Sequence, residues 1–423
     1  MFAIIGLQYD VVGGCIMEII REKYLSEIRR FYDSNLIKVL TGVRRCGKSI
    51  ILKQIENELL FKNLIKYDHI ISIYFEDVKY DKLKTFEKLN TYILNQIKDK
   101  QKYYILLDEI QHVKQFEKIL SSLKATQNVS IFVTGSNSKL LSGRLASLLV
   151  GRCKEFKIMP FTYSEYLEYF EKNNIESQNK SLNDYLKFGG MPQRLEYIEE
   201  KDIISYLKSI YDGIVNKDIC NSKSHINKET FNLIAKYIIS NSSKEFSAQN
   251  VVDYFNKYNN ANLDRKVVYR YLEKLEEACL ISRVRRYDIA SKRNLKSIEK
   301  QYAVDSGFIL ACSETNNVVL SHLLENIIYN DLIFKGYDVK IGKTYKGEID
   351  FIAIKNSKKC FIQVAYLLSD EDVINREFSA FDSIKDSSPK YVLSLDEFDM
   401  SQNGITHINI EDFLLDKEEL FLS

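Results

Sequence analysis

The chain has 423 residues, of which 45% are hydrophobic and 28% are charged, with a formal net charge of +2. These proportions are typical of globular proteins with several cores, and no apolar run approaches the roughly 18 residues that a membrane span requires. Because the net charge is close to zero, any nucleic-acid surface must be local. The seven cysteines include no C-x-x-C pair. Their scatter argues against a zinc site or a disulfide framework and favours a cytoplasmic location.

Residues 1–35 are predicted to form an N-terminal extension followed by a helix. The residues before Met17 are apolar, contain Asp10 and carry no early basic residue, so they make a poor signal peptide. The helical pattern begins directly after Met17. The two glycines at 13–14 would be encoded as GGNGG, a ribosome-binding sequence at a suitable place upstream of the Met17 codon. We hypothesise that Met17 is the native start, which the intact mass of protein made from the native locus would test.

A glycine-rich loop follows the first strand predicted in segment 36–160. Residues 42–49 read GVRRCGKS and match G-x-x-x-x-G-K-[ST]. They lie between an apolar strand at 37–41 and a helix predicted at 49–60. In such a loop the backbone N–H groups surround phosphate, the lysine reaches the β- and γ-phosphates, and the serine hydroxyl ligates Mg²⁺. The motif predicts ATP and Mg²⁺ as cofactors, with an ordinary glycine-rich turn as the alternative. The predicted cofactor-binding residues are Gly42, Arg45, Cys46, Gly47, Lys48, Ser49 and Ile50.

Two carboxylates end a second apolar strand, at 103–107. In a doubly wound sheet the carboxyl ends of the strands face the ligand crevice. Asp108 is therefore predicted to hold Mg²⁺ together with Ser49, and Glu109 to act as the general base that polarises the attacking water. The alternative is a solvated turn with no catalytic role.

A third strand, at 129–134, is followed by the polar residues GSNS. Asn137 is predicted to position the attacking water, with Ser136 as the second choice and a helix N-cap at Asn137 as the alternative. Arg152 is predicted to project into a neighbouring subunit's site and stabilise charge during phosphoryl transfer. A surface arginine near a helix C-terminus is the alternative for Arg152, and Arg144 is a weaker candidate. The predicted catalytic residues are Lys48, Asp108, Glu109, Asn137 and Arg152.

Segment 161–222 has apolar residues at helical spacing, with a turn predicted at Gly189, Gly190 and Pro192. A surface arginine is the favoured interpretation of Arg194, and contact with the γ-phosphate is the alternative. Segment 223–310 is predicted to hold three helices and then two strands joined by a basic loop at 290–300. The helices and strands cover 229–240, 247–258, 265–278, 280–287 and 301–304.

Three helices and a hairpin make a winged helix, whose third helix and wing are the parts that contact DNA in such modules. The local excess of basic residues in an otherwise near-neutral chain favours this interpretation. A winged helix used for subunit packing is the alternative. The predicted DNA contacts are Lys266, Arg270, Arg283, Arg285, Arg286, Lys292, Arg293 and Lys296.

The last segment, 311–423, is predicted to be an α/β domain with the skeleton of a restriction-endonuclease-like fold. Glu325 lies on a helix and Asp350 at the start of a strand. Nucleases of that type then need an acidic residue and a lysine, which bind Mg²⁺ and activate water. Gln363 and Ala365 stand at those positions. The sequence therefore predicts a degenerate scaffold that binds DNA or a protein partner, and makes active cleavage the disfavoured alternative.

These motifs resemble those of AAA+ P-loop ATPases. More narrowly, they resemble a bacterial and archaeal AAA+ family with a C-terminal domain of unknown function. The stretches that carry the resemblance are TGVRRCGKS at 41–49, LDEIQ at 107–111, TGSNS at 134–138, GR at 151–152, FGGMP at 188–192 and DSIKD at 382–386. The resemblance implies an α/β fold with an AAA+ core and parallel sheet at 36–160 and a helical lid at 161–222. A winged helix at 223–310 and a nuclease-like domain at 311–423 would follow.

The order of core, lid and winged helix resembles that of motors of branch migration and replication initiation. It implies an Mg²⁺-dependent ATPase that forms a homo-oligomeric ring and binds and remodels DNA. Branched DNA is a candidate substrate. The alternative is a nucleotide-dependent signalling or defence switch that assembles with partners and does not move DNA. An ATP-gated nuclease is a third hypothesis, which Gln363 and Ala365 oppose.

Overall fold

The computed structural model describes residues 18–136, 151–175, 180–220, 226–259, 263–291, 293–313, 319–345, 347–418 and 420–421, with the backbone alone at 294–298. The chain divides into two compact units. The N-terminal unit consists of Glu18–Met159 with Glu277–Cys279, and the C-terminal unit of Pro160–Glu276 with Leu280–Ser423. Within the described ranges, no helix is both long and apolar enough to cross a membrane.

A parallel sheet forms the centre of the N-terminal unit. Its strands are β1 (Ile37–Thr41), β2 (Ile70–Tyr74), β3 (Tyr103–Asp108), β4 (Val129–Gly135) and β5 (Cys153–Lys157). They lie in the order β2-β3-β4-β1-β5. The described helices of this unit are α1 (Glu22–Arg29), α2 (Lys48–Asn57), α3 (Phe86–Gln96) and α4 (Phe116–Thr126). The predicted α/β class with a parallel sheet is confirmed.

The neighbouring strands β3, β4 and β1 end at the same edge of this sheet. β3 and β4 are buried along their whole length, as expected for parallel strands that are covered on both faces. Leu107 pairs with Val133, and Thr41 pairs with Gly135. Because the strands run parallel, the residues that follow Thr41, Leu107 and Gly135 lie side by side. Ligands of open α/β sheets bind at this edge.

The first part of the C-terminal unit is helical. Its helices are α5 (Tyr163–Lys172), α6 (Leu182–Phe188), α7 (Glu200–Ile214), α8 (Lys228–Ser240), α9 (Ala248–Asn259) and α10 (Arg265–Glu277). A capping box starts α5, because Thr162 and Glu165 each accept the other's backbone N–H with a side-chain oxygen. The last three helices lie where the apolar periodicity predicts them.

An eight-stranded sheet forms the rest of the C-terminal unit. Its strands are β6 (Glu245–Phe246), β7 (Ile281–Asp288), β8 (Arg293–Ala303), β9 (Asp338–Lys343), β10 (Glu348–Lys355), β11 (Lys358–Val364), β12 (Lys390–Ser394) and β13 (Thr406–Asn409). Their order is β13-β12-β11-β10-β9-β7-β8-β6. The accompanying helices are α11 (Ser306–Cys312), α12 (Leu320–Phe334), α13 (Glu371–Ser379) and α14 (Ile410–Leu414). β7 and β8 pair antiparallel as a hairpin. Parallel pairing of β7 with β9 joins this hairpin to the later strands.

The basic loop predicted at 290–300 is wrong, because most of this segment is strand. β8 begins at Arg293, which pairs with Asp288 of β7, and Glu299 pairs with Arg285. The high density of charge favoured a loop in the sequence. A strand accommodates that charge here because Glu299 and Lys300 find oppositely charged partners within the same unit.

The turn after α6 depends on two glycines. Gly189 has a φ of 72°, and a Cβ on it would lie 1.8 Å from Asp305 Oδ1. A Cβ on Gly190 would lie 2.0 Å from Phe161 O. The Asp305 carboxylate accepts hydrogen bonds from Gly190 N–H at 2.7 Å and from Gly307 N–H at 2.9 Å. Burial, opposed by these bonds, raises the pKa of Asp305 to about 6. The turn is therefore fastened to the start of α11.

Candidate active site

The loop between β1 and α2 takes its shape from two glycines with positive φ. Gly42 has a φ of 149°, and a Cβ there would lie 2.2 Å from Ile158 O. Gly47 has a φ of 102°, directly precedes α2 and provides no side-chain cap for that helix. Backbone N–H groups at a helix N-terminus and the helix dipole favour an anion at such a position. The loop is therefore shaped to hold phosphate.

Lys48 is buried within this loop. Its ammonium donates to the carbonyl oxygens of Gly42 at 3.1 Å and Val43 at 3.0 Å, and it lies 3.8 Å from Glu109 Oε1. Only 3% of the side chain is exposed. A buried ammonium is costly unless opposite charge lies close by. Glu109 supplies part of that charge, and phosphate oxygens bound in the loop would supply more.

Ser49 and Asp108 form an oxygen-rich pair between the loop and β3. The Ser49 hydroxyl lies 2.9 Å from both carboxylate oxygens of Asp108. Thr134, at the end of β4, donates to Asp108 Oδ1 at 2.7 Å. Burial raises the pKa of Asp108, while the hydrogen bonds from Thr134 and Ser49 act in the opposite direction. Hydroxyl and carboxylate oxygens are ligands that Mg²⁺ accepts, so this donor set fits the predicted metal.

Glu109 is held at the end of β3 in a left-handed backbone conformation. Its φ and ψ are 53° and 50°, a conformation that costs a non-glycine residue about 1–2 kcal/mol. Its N–H donates to Thr134 Oγ1 at 2.8 Å, so one threonine binds both acidic residues. The Glu109 carboxylate accepts a hydrogen bond from Gln111 Nε2, which also contacts Ser136 Oγ at 3.3 Å. The neighbouring groups therefore fix the orientation of the carboxylate, and Glu109 is not a solvated turn residue.

Arg21, which precedes α1, supports the loop from within the unit. It is 2% exposed, and its Nη1 donates to Met159 O at 2.8 Å and to Cys46 O at 3.4 Å. The Cys46 thiol is buried and donates to Ile158 O at 3.4 Å. Burial raises the pKa of this thiol. The Cys46 side chain therefore supports the loop. Only the backbone of Cys46 is available for the predicted contact with a cofactor.

The remaining predicted residues of the nucleotide site have different positions. Arg45 and Ile50 are exposed at the rim of the loop. Arg152 is exposed in the turn before β5, where its carbonyl oxygen accepts Ile37 N–H at 2.9 Å. Asn137 and the weaker candidate Arg144 lie outside the described residues.

Arg194 is buried, so the favoured surface position is wrong, and its partners leave no group free for the alternative, contact with phosphate. It is 2% exposed, and its Nη1 donates to Asp184 Oδ2 at 2.7 Å. Its Nε and Nη2 both donate to Gly189 O, at 2.9 and 2.7 Å. The guanidinium therefore fastens α6 to the turn that follows it.

Four of the residues predicted to contact DNA are exposed. Lys266 and Arg270 lie on α10, Arg285 on β7 and Arg293 on β8. Lys292 and the side chain of Lys296 lie outside the described part of the chain. The geometry therefore permits the predicted contact with DNA for these four exposed cations on α10 and the β7–β8 hairpin.

Two predicted DNA contacts are corrected, because their charges are paired inside the sheet. Arg286 is 6% exposed and binds Glu245, at 2.8 Å, and Glu348. Arg283 donates from its Nε to Glu299 Oε2 at 2.8 Å. Breaking such pairs to reach phosphate would leave the partly buried carboxylates of Glu299 and Glu348 without a counter-charge, which is unfavourable. Arg283 therefore joins the two strands of the β7–β8 hairpin, and Arg286 holds this hairpin to the neighbouring strands β6 and β10.

The acidic centre formed by Glu325, Glu348 and Asp350 contains an ammonium that the sequence pattern did not reveal. Lys300 of β8 lies 2.9 Å from Glu325, 2.5 Å from Glu348 and 3.9 Å from Asp350. Burial raises the pKa of Asp350 well above its usual value. Gln363 accepts Asp350 N–H at 2.8 Å and donates to Glu377 at 3.0 Å. Gln363 therefore acts as a structural bridge in this centre.

Three positions that shape the candidate site escaped the sequence interpretation: Thr134, Gln111 and Arg21. Thr134 and Gln111 belong to the quoted stretches TGSNS and LDEIQ, so motif membership was a signal even though no role was assigned. Arg21 gave no such signal, because its partners are backbone carbonyls far along the chain.

Two family models match the chain. One, described as an AAA domain, matches residues 34–167. The other, described as a domain of unknown function (DUF8612), matches residues 179–318. Among solved structures, the chain resembles ORC2 of Aeropyrum pernix in ADPNP and ADP complexes, with a TM-score of 0.38 and 9% identity, covering 73% of this chain and 91% of that one. It also resembles AMPPCP-bound DnaA of Aquifex aeolicus, with a TM-score of 0.33 and 18% identity over 60% of this chain and 86% of that one.

Two curated relatives match nearly the whole chain. A Haemophilus influenzae protein described as uncharacterised is 33% identical over 409 residues, which cover 93% of this chain and 98% of the relative. MJ1544 of Methanocaldococcus jannaschii, also described as uncharacterised, is 30% identical over 397 residues, covering 89% of this chain and 85% of the relative. These matches confirm the predicted resemblance at the level of family. The chain belongs to the family of these relatives, proteins with an AAA domain followed by a domain of unknown function.

Proposed function

We propose that the protein is an Mg²⁺-dependent ATPase. The observation that carries this proposal is the meeting of Lys48, Ser49, Asp108 and Glu109 at the carboxyl edge of one parallel sheet. Lys48 would neutralise phosphate charge, and Ser49 with Asp108 would hold the metal. Magnesium, when bound, stabilises negative charge on the transferring phosphoryl group. Glu109 would accept a proton from the attacking water.

Nucleotide binding and hydrolysis, measured separately, test this function. Glu109→Gln should keep ATP affinity within about twofold and lower the hydrolysis rate at least about 100-fold, as loss of a general base does. Lys48→Ala should weaken ATP binding itself, because the phosphate charge loses its buried cation. Glu87→Gln, an exposed carboxylate at the start of α3, is the control and should change neither quantity. Hydrolysis at the wild-type rate by Glu109→Gln would contradict the proposal.

We further propose that α10 and the β7–β8 hairpin act as a winged helix that binds duplex DNA. Support comes from four exposed cations: Lys266, Arg270, Arg285 and Arg293. Tyr269, on α10 beside Arg270, is 41% exposed and adds a surface for sugar or base contact. Cations clustered on one helix and one hairpin are a local feature, as a protein of net charge +2 requires for DNA binding.

Salt-dependent binding tests the DNA proposal. Fluorescence anisotropy with single-stranded, duplex and four-way junction DNA should show binding at about 50 mM salt that weakens as salt rises. A double variant with Lys266→Ala and Arg270→Ala should bind DNA more weakly. Its affinity should also depend less steeply on salt, by the equivalent of about two phosphate contacts. Lys201→Ala, an exposed lysine at the start of α7, is the matched control. ATP hydrolysis should rise with the DNA that binds best.

A second candidate function is a nucleotide-dependent switch that assembles with partners and does not move DNA. It is favoured by the pairing of Arg283 and Arg286 within the sheet, which removes two cations from the predicted DNA surface. Hydrolysis unaffected by DNA, together with no binding of DNA at about 50 mM salt, would favour this switch.

The proposal of a DNA-binding ATPase also includes a homo-oligomeric ring and a cytoplasmic location. The cytoplasmic location is supported by the six free cysteines among the described residues.

A further inference from the structure

Gln111 is engaged with the proposed general base, and no role has been assigned to it. It lies in the single 3₁₀ turn, Ile110–His112, that follows Glu109. Its Nε2 donates to Glu109 Oε2 and contacts Ser136 Oγ at 3.3 Å. A carboxylate can only accept, so the nitrogen of this amide must be the atom that faces Glu109. The contact therefore fixes which way the amide points.

The other end of the same amide is buried with no partner among the described residues. Gln111 Oε1 has no hydrogen-bond donor in contact with it. An unsatisfied buried acceptor costs about 1–3 kcal/mol, so its presence in a native site needs an explanation. A molecule of water beside Glu109 would satisfy it. The amide thus presents an acceptor next to the carboxylate that is proposed to take a proton from water.

Ser136 connects this arrangement to the neighbouring strand. It is 2% exposed and directly follows Gly135, the last residue of β4. Thr134, two residues earlier, binds both Asp108 and the Glu109 backbone. The Glu109 side chain and its backbone are therefore both fixed by the end of β4. A shift of this strand end would change the direction of the carboxylate.

We infer that Gln111 is a positioning residue for ATP hydrolysis, which couples the Glu109 carboxylate to Ser136 at the end of β4. This inference rests on the proposed ATPase function. Gln111 acts through Glu109 and contributes no proton transfer of its own. Its contribution is to orientation, which general-base catalysis requires because the base must lie within hydrogen-bond reach of the attacking water.

Single-turnover hydrolysis and nucleotide affinity, measured on the full chain, test the inference. Gln111→Leu keeps the side-chain size and removes the amide. It should leave ATP affinity within about twofold and slow hydrolysis about 10- to 100-fold. Ser136→Ala should slow hydrolysis less, because the contact between Gln111 and Glu109 remains. His112→Ala, an exposed neighbour in the same turn, is the matched control and should behave as wild type.

A double-mutant cycle shows whether Gln111 acts through Glu109. In a Glu109→Gln background, Gln111→Leu should cause no further loss of rate, because the group it positions is gone. Additive losses would overturn the inference, as would a Gln111→Leu variant that hydrolyses at the wild-type rate. If ATP affinity and thermal stability of Gln111→Leu fell as far as its hydrolysis rate, the role of Gln111 would be merely structural, and the inference would be overturned. If wild type itself binds ATP without hydrolysing it, both this inference and the proposed function fail.

Discussion

At the scale of single residues, the N-terminal unit contains a lysine in an unfavourable position. Lys38 of β1 is fully buried, donates to Ser130 Oγ at 2.7 Å and lies 4.4 Å from the centre of the Phe132 ring. Burial lowers the pKa of Lys38 to about 7, and the nearby Lys102 acts in the same direction. The unfolded chain therefore binds a proton more readily than the folded one between pH 7 and the ordinary lysine pKa of 10.5.

This pKa predicts the sign of a stability change. Because the unfolded state holds more protons in that pH window, stability rises with pH there, and the cost of burying Lys38 is largest at or below pH 7. Lys38→Met should therefore raise the free energy of unfolding by a few kcal/mol, on the order of the shift at 1.36 kcal/mol per pKa unit. The gain should shrink as pH rises toward 10.

Calorimetry between pH 7 and 10 measures this difference. Lys118→Met, an exposed lysine on α4, is the control, and its effect on the unfolding midpoint should not vary with pH in this way. A Lys38→Met effect that stays constant across the range would show that Lys38 carries no such cost.

At the scale of elements, the turn after α6 should be intolerant of any side chain. A Cβ on Gly190 would lie 2.0 Å from Phe161 O, so Gly190→Ala must displace backbone. We expect a loss of about 1–3 kcal/mol, the usual cost of overpacking. Gly213→Ala is the matched control, because Gly213 lies within α7 and a Cβ there meets nothing within 4 Å. That substitution should stabilise the protein by up to about 1 kcal/mol. Thermal unfolding of the two variants separates the outcomes, and equal midpoints would contradict the prediction.

The acidic cluster of the eight-stranded sheet should bind metal only after its lysine is removed. Lys300 lies among Glu325, Glu348 and Asp350, where its ammonium balances their charge. Lys300→Met should cost about 3–5 kcal/mol, as loss of one partner from a buried ion pair does. Millimolar Ca²⁺ or Mg²⁺ should then raise the unfolding midpoint of the variant, since carboxylate oxygens suit both ions.

Wild type supplies the comparison for this metal effect. Its midpoint should respond less to the same ions, because Lys300 already occupies the centre of the cluster. Adding Glu348→Gln to Lys300→Met should reduce the response to metal by removing one carboxylate. If neither variant responds to metal more than wild type does, the ammonium is not what keeps cations out.

The sequence predicted elements well where one local pattern sufficed, and poorly where distant residues decide. The glycine loop and the strand ending at Asp108 follow from motif and apolar runs. The basic loop at 290–300 was wrong because strand pairing with β7 outweighs local charge. The pairing of Arg286 with Glu245 and Glu348 was equally hidden, since these partners lie 41 and 62 residues away. Contacts over such separations leave no periodicity to read.

At the scale of the whole molecule, the proposed homo-oligomer predicts that one subunit completes the site of another. Arg152 is exposed before β5 of the N-terminal unit, as a residue that reaches a neighbouring subunit must be. An arginine supplied in trans stabilises charge in the transition state and is worth about 10³–10⁵ in rate. Arg152→Ala should therefore bind ATP normally and hydrolyse it slowly. Arg30→Ala, an exposed arginine after α1, should hydrolyse ATP as wild type does.

Mixing two inactive variants tests the action in trans. Arg152→Ala keeps Glu109, and Glu109→Gln keeps Arg152, so a mixed oligomer contains some interfaces with both residues intact. With random assembly about one quarter of the interfaces are complete, so the mixture should recover up to about a quarter of wild-type activity. Each variant alone should stay inactive, and a mixture of Glu109→Gln with Lys48→Ala should not recover, because both lesions lie in the same half of the site. No recovery in the first mixture would mean that Arg152 acts within its own subunit or not at all.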